Sequence, residues 1–172
     1  MELELARWNL ELFYLINHAR NPYLDLFFSY FYLLGKGYVL IPLFFVVFKL
    51  YREKLKLFVG AVLLETVIVH SLKWYFKAPR PAQVLPEVYL IEKVYHNSFP
   101  SGDTAMAFVI ACFFSETLPR TWKLLPWIYA FLIAYGRIYV GAHFPLDVIA
   151  GALIGVGSYL TVKRVFGSYN GF

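Results

Sequence analysis

The stretch KLFVGAVLLETVIVHSLKWYF, residues 56–76, has one charged residue, Glu65, between Lys56 and Lys73. A helix that crosses the hydrocarbon core of a bilayer needs about 20 predominantly apolar residues, with roughly 17 as a minimum. Only helices and closed barrels satisfy all their backbone hydrogen bonds inside lipid. The stretch therefore predicts a transmembrane helix, and it makes a helical membrane bundle the first hypothesis for the fold.

The composition of the whole chain favours the same environment. The chain has 172 residues, of which 60% are hydrophobic and 16% are charged, and its mean hydropathy is +0.58. Soluble domains are about half apolar and about a quarter charged, so this chain has an excess of apolar surface that lipid would cover. The length predicts a single domain, residues 1–172.

The charge and the cysteine content exclude other classes. The net charge of +5 would also suit a nucleic-acid binder, but the basic residues lie between apolar stretches. We therefore expect the lipid bilayer as a partner and no nucleic acid. Cys112 is the only cysteine, which excludes an intrachain disulfide and a cysteine-based metal site.

Six apolar stretches predict six membrane spans, at about 22–34, 38–50, 56–76, 102–118, 124–140 and 145–162. The first two are short and are separated only by Gly35-Lys36-Gly37, so we expect a tight pair joined at a glycine turn. Residues 1–20 alternate leucines with charged residues, which predicts an amphipathic helix on the membrane surface. Residues 77–100 form the one long polar connection. The predicted fold is all-α, with six transmembrane helices and an N-terminal interfacial helix.

The basic residues predict the orientation of the bundle. With six spans and the N-terminus inside, the inner segments hold ten Lys and Arg and the outer segments hold six, namely Lys36, Lys73, Lys77, Arg80, Lys93 and Arg137. Cytoplasmic loops carry an excess of Lys and Arg. We therefore expect a bacterial inner (plasma) membrane protein with both termini in the cytoplasm. The six outer cations run against this bias and need a local reason.

Polar residues cluster at three places that fall on one side of the membrane. The first cluster, KWYFKAPRP, covers residues 73–81 after the third span. The second, PSGD, covers residues 100–103 at the start of the fourth span. The third, GRIYVGAHFPLD, covers residues 136–147 between the fifth and sixth spans. Because successive spans reverse direction, all three clusters face the same compartment, which we expect to be the periplasm or the exterior.

These clusters have the composition of an anion site. Lys73, Arg80 and Arg137 are cations that a bilayer tolerates only with an anionic partner. Arginine suits bidentate recognition of phosphate, and lysine adds a point charge. The start of the fourth span offers backbone N–H groups and a positive dipole end, and Gly102 lets an oxygen approach closely because it has no Cβ. The sequence therefore predicts a site for a tetrahedral oxyanion.

His143 adds chemistry to this site. A neutral imidazole can attack phosphorus and form a covalent intermediate. Its other nitrogen then needs a partner, and Asp147 is placed to supply one. Pro145 between them fits the first turn of the last helix. We therefore expect His143 as nucleophile and Asp147 as the residue that orients it.

These residues resemble the three-part signature of the type-2 phosphatidic acid phosphatase superfamily, K-x6-R-P, P-S-G-H and S-R-x5-H-x3-D. Here the parts are Lys73-x6-Arg80-Pro81, PSGD at 100–103, and Gly136-Arg137-x5-His143-x3-Asp147. ARNPYLD at 19–25 also resembles small bacterial members. The resemblance covers roughly residues 20–165.

The resemblance implies six transmembrane helices, a phosphohistidine mechanism, and no metal or other cofactor. By the same resemblance, Lys73, Arg80 and Arg137 would bind the phosphoryl oxygens. Ser101 and the Gly102 amide would complete the cradle. His143 and Asp147 would take the roles given above.

Two positions depart from the family pattern. Gly136 stands where members have Ser, so we expect one hydrogen bond to phosphate to be lost. Asp103 stands where members have the His that acts as general acid on the leaving oxygen. An Asp at a helix N-terminus among cations stays ionised near neutral pH, which makes it a poor acid.

Three roles for Asp103 follow. It is protonated only in the substrate complex, or it positions Lys73 or Arg80 while the leaving group departs unaided, or it is an inactivating replacement. The second role favours lipids with good leaving groups over phosphatidic acid.

The sequence thus predicts a lipid phosphatase whose substrate is a phosphorylated membrane lipid. Lipid A 1-phosphate is the first choice of substrate, followed by undecaprenyl diphosphate and phosphatidylglycerol phosphate. A lipid phosphotransferase and a catalytically dead lipid-binding homologue are the alternatives. The sequence leaves the oligomeric state open.

Overall fold

The structure of the protein is a computed structural model that describes residues 6–93 and 97–169, the last three without their side chains. All regular elements in these ranges are helical. The α-helices are α1 Arg7–Asn17, α2 Pro22–Phe31, α3 Leu40–Leu50, α4 Leu55–Phe76, α5 Pro81–Val84, α6 Gly102–Thr117, α7 Leu125–Tyr139 and α8 Pro145–Tyr169. Short 3₁₀ helices cover Tyr32–Gly35, Gly37–Val39, Arg52–Lys54 and Arg120–Trp122. Residues 1–5 of the predicted interfacial helix and 94–96 of the predicted outer loop lie outside the described residues.

Helix α6 forms the centre of the bundle. Every residue from Thr104 to Phe114 is buried, and the helix packs against α4, α7 and α8. A helix that is apolar on all sides is expected to be enclosed by its neighbours. The start of α6, which carries the PSGD segment, is therefore held in place by three helices.

Helix α8 approaches α6 closely because two of its residues lack a side chain. A Cβ at Gly151 or Gly155 would overlap the backbone carbonyl of Ser101 or Ala105. Small residues at such positions let two membrane helices approach at the level of their backbones. The start of α8 is thereby fixed against the start of α6.

The outer faces of the long helices are apolar. Leu63 and Val67 on α4 are 59% and 62% exposed, and Leu153 on α8 is 69% exposed. Two ranges of the described chain are long and apolar enough to cross a membrane, Arg52–Val84 and Pro145–Phe166. A third candidate arises if the bent pair Pro22–Gly35 and Gly37–Leu50 is one span. Helices α6 and α7, with 16 and 15 residues, are shorter.

The first two apolar stretches do not form the expected tight pair. Pro22–Gly35 and Gly37–Leu50 meet at a bend of 60°, whereas two antiparallel spans would require a near-reversal. Gly35 lies against α7, where an added Cβ would come 3.1 Å from Ile133 Cγ2. The glycines therefore break the helix beside α7 instead of turning the chain back.

The bent pair crosses the bundle once. At its beginning, the backbone N–H of Asn21 donates to the hydroxyl of Tyr139, at the end of α7. At its end, the ring of Tyr51 lies 6.4 Å from that of Phe114, near the end of α6. Since α6 and α7 run in opposite directions, these contacts lie at opposite ends of the bundle.

Helix α1 lies across the end of the bundle that carries the three polar clusters. The side-chain amide of Asn17 donates to the carbonyl of Tyr139 over 2.9 Å. The backbone N–H of Leu146, at the start of α8, donates to Asn9 Oδ1 over 2.9 Å. The sequence had placed the N-terminus on the opposite side. The difference goes together with the 60° bend between Pro22–Gly35 and Gly37–Leu50, where the prediction has a reversal of the chain.

Candidate active site

A cavity of about 820 Å³ opens where α4 ends, α6 begins and α7 ends. Six of the predicted site residues line it: Lys73, Arg80, Gly102, Asp103, Arg137 and His143. Ser101 and Asp147 are fully buried behind its wall. The cavity therefore brings together residues that are far apart in the sequence, as the alternation of the last four helices predicted.

The turn between α7 and α8 presents His143 to the cavity. Gly141 supplies this turn with a φ of +78°, a conformation that residues with a Cβ rarely adopt. His143 Nδ1 lies 3.3 Å from Asp147 Oδ2, and its Nε2 lies 3.0 Å from Arg80 Nη1. Since a guanidinium can only donate, Nε2 accepts in this pair, and the ring proton belongs on Nδ1 facing the carboxylate.

Asp147 is held by more than His143. Its Oδ2 accepts the hydroxyl of Ser98 over 2.5 Å and the backbone N–H of Phe144 over 2.9 Å. The N–H of Ser101 donates to the Asp147 carbonyl over 3.0 Å. These bonds fix the carboxylate that orients the imidazole, and they join the second and third polar clusters.

The environment keeps His143 neutral. Complete burial of the ring lowers the pKa of His143 well below 6.5, and the positive charges of Arg80, Arg137, Lys73 and Lys36 lower it further. A neutral ring with its proton on Nδ1 carries its lone pair on Nε2, where it accepts from Arg80 Nη1 in this structure. This is the protonation state that a histidine nucleophile needs.

The loop that follows α4 orients the side chain of Arg80. Its Nη1 donates to the carbonyl of Ala142 over 2.7 Å, and its backbone N–H donates to Gln83 Oε1 over 2.7 Å. The guanidinium remains charged at neutral pH, and its position beside Nε2 suits the oxygens of a phosphoryl group at that nitrogen.

Lys73, in the last turn of α4, is tied to the segment before α6. Its Nζ donates to the carbonyls of Asn97 and Ser98 over 2.7 and 3.0 Å. The Asn97 side chain in turn donates to the Lys73 carbonyl over 3.0 Å. One proton of the ammonium remains for a ligand in the cavity.

A cluster of four charged residues forms another part of the cavity wall, and we call it the Lys36 cluster: Lys36, Glu92, Asp103 and Arg137. Lys36 Nζ lies 2.5 Å from Glu92 Oε1 and 3.0 Å from Asp103 Oδ2. Arg137 Nη1 pairs with Glu92 Oε2, and Arg137 Nε lies 3.3 Å from Asp103 Oδ2. Each carboxylate therefore bridges the same two cations.

The partners of Asp103 differ from those that the sequence predicts. The expected partners were Lys73 and Arg80, which bind backbone carbonyls in this structure. Asp103 instead pairs with Lys36 and Arg137. Its carboxylate thus holds two cations at the cavity.

The predicted phosphate cradle at the start of α6 is present in part. Gly102 lines the cavity, and an added Cβ there would come 3.3 Å from Val69 Cγ1. The hydroxyl of Ser101 bonds to Thr104 Oγ1 over 2.9 Å and does not line the cavity. The backbone at Gly102, more than the Ser101 side chain, is open to a ligand.

Gly136 faces away from the cavity. An added Cβ would come 2.9 Å from Phe28 Cδ1, on helix α2. A serine in this fold would therefore point at Phe28 instead of at a phosphate. The departure from the family pattern at this position follows from the packing of α2 against α7.

Sequence reasoning missed four residues of the site: Lys36, Glu92, Asn97 and Ser98. Lys36 carried a signal, since it was one of the outer cations that ran against the charge bias. The other three lie in the 77–100 connection, where no periodicity marks them. Among residues 6–93 and 97–169, no three His, Cys, Asp or Glu side chains gather as a metal site would require.

The chain is also similar in sequence to known proteins. The family model described as PAP2 superfamily matches residues 54–169. The undecaprenyl-diphosphatase of Sulfolobus acidocaldarius is 34% identical over 160 residues, which cover 91% of this chain and 78% of that protein. The lipid A 4'-phosphatase of Porphyromonas gingivalis is 31% identical over 172 residues, which cover 90% of this chain and 70% of that protein.

Two solved structures are also similar. The crystal structure of Aquifex aeolicus LpxE is 51% identical, with a TM-score of 0.91, over 94% of this chain and 98% of that chain. The PAP2 type phosphatidylglycerolphosphate phosphatase of Bacillus subtilis is 22% identical, with a TM-score of 0.80, over 99% of this chain and 92% of that chain. The second match concerns the fold alone.

Proposed function

The chain belongs to the PAP2 superfamily, and from this membership we propose that it is a membrane lipid phosphatase, a hydrolase of lipid phosphate or diphosphate groups. The similarity to a lipid A 4'-phosphatase and an undecaprenyl-diphosphatase supports this class of substrate. The observation that carries the proposal is the placement of His143. One ring nitrogen faces a buried carboxylate, and the other faces a cavity lined by cations.

The proposed reaction has two displacements at phosphorus. Nε2 of His143 attacks, an N–P bond forms, and the P–O bond to the lipid breaks with its electron pair remaining on the leaving oxygen. Asp147 stabilises the positive charge that develops on the ring through Nδ1–H. Arg80, Lys73 and Arg137 hold the phosphoryl oxygens. Water then attacks the phosphohistidine and releases inorganic phosphate, which restores the neutral ring.

Among head groups, lipid A 1-phosphate remains the first proposal, followed by undecaprenyl diphosphate and phosphatidylglycerol phosphate. The leaving oxygen of an anomeric phosphate or of a diphosphate needs less protonation than that of a simple alcohol. The carboxylate of Asp103 is engaged by Lys36 and Arg137, so its role in this proposal is to hold these cations and not to protonate the leaving oxygen. The site thus suits substrates of the first two kinds better than phosphatidic acid, and faster cleavage of phosphatidic acid would contradict this preference.

The test of the function is phosphate release from a panel of these lipids in detergent micelles. His143→Ala should lose more than about 10³-fold in kcat, because the nucleophile is gone. His70→Ala is a matched control, since His70 lines the same cavity on α4 and, among the described residues, its ring bonds to the Thr66 carbonyl of its own helix. We expect the control to stay within about threefold of wild type. Equal activity in both variants would refute the assignment of the nucleophile.

The same panel separates the alternatives. A catalytically dead lipid-binding homologue would release no phosphate from any lipid yet would still bind inorganic phosphate. A phosphotransferase would transfer label from a phosphorylated lipid to an added acceptor lipid faster than to water. Trapping of an acid-labile phosphoenzyme that is absent in His143→Ala would support the phosphohistidine in either enzyme.

We further propose that the protein spans the bacterial inner membrane, with the cavity facing the periplasm or exterior. Five crossings, by the bent pair, α4, α6, α7 and α8, agree with the contacts better than six. The C-terminus would then be cytoplasmic, and α1 would lie on the surface beside the cavity. The basic residues Lys49, Arg52, Lys54, Lys56, Arg120, Lys123, Lys163 and Arg164 would remain inside.

Labelling of single cysteines tests this topology. In a Cys112→Ala background, a cysteine at Glu11 on α1 should react with an impermeant maleimide added to spheroplasts. A cysteine at Lys163 on α8 should react only after permeabilisation. Protection of the Glu11 position in intact spheroplasts would restore the six-span topology.

A further inference from the structure

Lys36 occupies an unusual place in the fold. It is the residue at the break between Pro22–Gly35 and Gly37–Leu50, and its side chain is 25% exposed and lines the cavity. Irregular backbone at membrane depth occurs where it is buried in protein or lines a cavity. A lysine among membrane helices is costly, and its cost is usually tied to function. The break thus places a fourth cation in a site that already has three.

The surroundings of Lys36 differ from those of the other cations. Lys73 and Arg80 are held by backbone carbonyls beside His143. Lys36 is held instead by two carboxylates, Glu92 and Asp103. None of the described hydrogen bonds of the His143 ring comes from the Lys36 cluster, although all four residues of that cluster line the same cavity.

The geometry of displacement at phosphorus places the leaving oxygen on the far side of the phosphate from the nucleophile. The nucleophile and the leaving oxygen lie roughly in line, on opposite sides of the phosphorus atom. With Nε2 of His143 on one side, the leaving oxygen points away from it, towards the remaining charged wall. That oxygen gains negative charge as the P–O bond breaks, and a fixed cation there lowers the barrier.

We propose that Lys36 is a further catalytic residue, whose ammonium group stabilises the leaving oxygen, and that Asp103 is its positioning residue. This inference rests on the proposed function. The N–P bond to His143 forms, the P–O bond breaks, and the electron pair stays on the leaving oxygen, which Lys36 contacts through N–H. A proton from water neutralises an alkoxide after departure, whereas a phosphate leaving group needs none.

Glu92 marks a position that an anionic oxygen of a ligand could take. Its two carboxylate oxygens lie against Lys36 and Arg137, and it is 11% exposed. A carboxylate between two cations occupies a place that a phosphorylated ligand would compete for. In the substrate complex the lipid oxygens replace Glu92, and Asp103 keeps Lys36 in position.

Two inhibitors test the role of Lys36. Orthovanadate adopts a five-coordinate geometry on a nucleophile, with an apical oxygen where the leaving oxygen would be, whereas inorganic phosphate resembles the ground state. With the lipid that wild-type protein cleaves fastest, we expect Lys36→Gln to weaken vanadate inhibition about 100-fold and phosphate inhibition less than about threefold. Lys36→Arg should recover most of the vanadate affinity. Asp103→Asn leaves Lys36 in the chain but removes the carboxylate that positions it, and it should weaken vanadate inhibition about tenfold.

Lys93→Gln is the matched control, because Lys93 is exposed at the same cavity and carries the same charge. It should change both inhibition constants by a similar small factor. Equal weakening of vanadate and phosphate by Lys36→Gln, or no weakening of either, would overturn the role of Lys36. Absence of lipid cleavage by wild-type protein would refute the proposed function itself, which is a separate result.

Discussion

Replacement of Asp147 by asparagine isolates the charge that orients the nucleophile. The side chain is fully buried, and its Oδ2 accepts from the Ser98 hydroxyl, from the Phe144 N–H and, at 3.3 Å, from His143 Nδ1. An asparagine oxygen can keep the first two donors. At that position it also faces Nδ1, so the hydrogen bond to the ring survives in neutral form, but the negative charge that stabilises the imidazolium formed on attack is lost.

The expected loss is about 10³–10⁴-fold in kcat, or about 4–5.5 kcal/mol at about 1.36 kcal/mol per tenfold. The unfolding free energy should fall by only about 1–2 kcal/mol, because the hydrogen bonds survive. Phosphate release from lipid micelles gives the first quantity, and thermal unfolding in detergent gives the second. Ser98→Ala removes one bond but keeps the charge, so it should lose only about tenfold in kcat. If Asp147→Asn stayed within tenfold of wild type, or matched Ser98→Ala, the orienting role would be refuted.

Three more predictions follow from other contacts. Burial and nearby cations hold the pKa of His143 well below 6.5, so as the pH falls the unfolded chain binds the proton before the folded protein does. The free energy of unfolding should therefore decrease as the pH drops below 6.5. Thermal unfolding of His143→Asn should show a smaller decrease over the same pH range. Glu92→Gln should tighten inhibition by inorganic phosphate about 5–30-fold, since a charged competitor for Arg137 is removed, and weaker inhibition would contradict this. Gly136→Ser should lower the unfolding free energy by about 1–3 kcal/mol, because its Cβ would lie 2.9 Å from Phe28. Gly157→Ser, with open space around it, should not; a gain in phosphate affinity at position 136 would show that the new hydroxyl reaches the site.

The alternation of membrane helices made much of the site predictable. Four consecutive helices reverse direction in turn, so the ends that carry Lys73, Gly102, Arg137 and His143 had to meet. The apolar stretches also marked where α4, α6, α7 and α8 lie. Neither prediction needed any knowledge of side-chain packing.

The first two apolar stretches could not be interpreted in the same way. Gly35 and Gly37 permit a reversal, but they also permit a break, and hydropathy does not distinguish the two. The choice depends on the contact of Gly35 with Ile133, a tertiary feature. Because the chain breaks here and does not reverse, α1 lies at the cavity end of the bundle and Lys36 lines the cavity.

The hydroxyl of Ser101 shows a second limit. Its place in the sequence suits a phosphate ligand, but Thr104 competes for it one helical turn away. The backbone carbonyls of Asn97 and Ser98 show a third, because they accept from Lys73 and every residue possesses such a carbonyl. A role played by a backbone carbonyl does not depend on the residue type, so the sequence does not reveal it.

The close seating of α8 on α6 divides the walls of the cavity into a rigid part and a movable part. The glycine contacts at 151 and 155 and the bond from Ser101 N–H to the Asp147 carbonyl lock the nucleophile to the start of α6. Lys36 and Glu92 instead sit on a broken helix and on the long connection. Any tightening of the protein around a lipid head group should therefore come from these two segments, while the attacking nitrogen keeps its aim throughout the catalytic cycle.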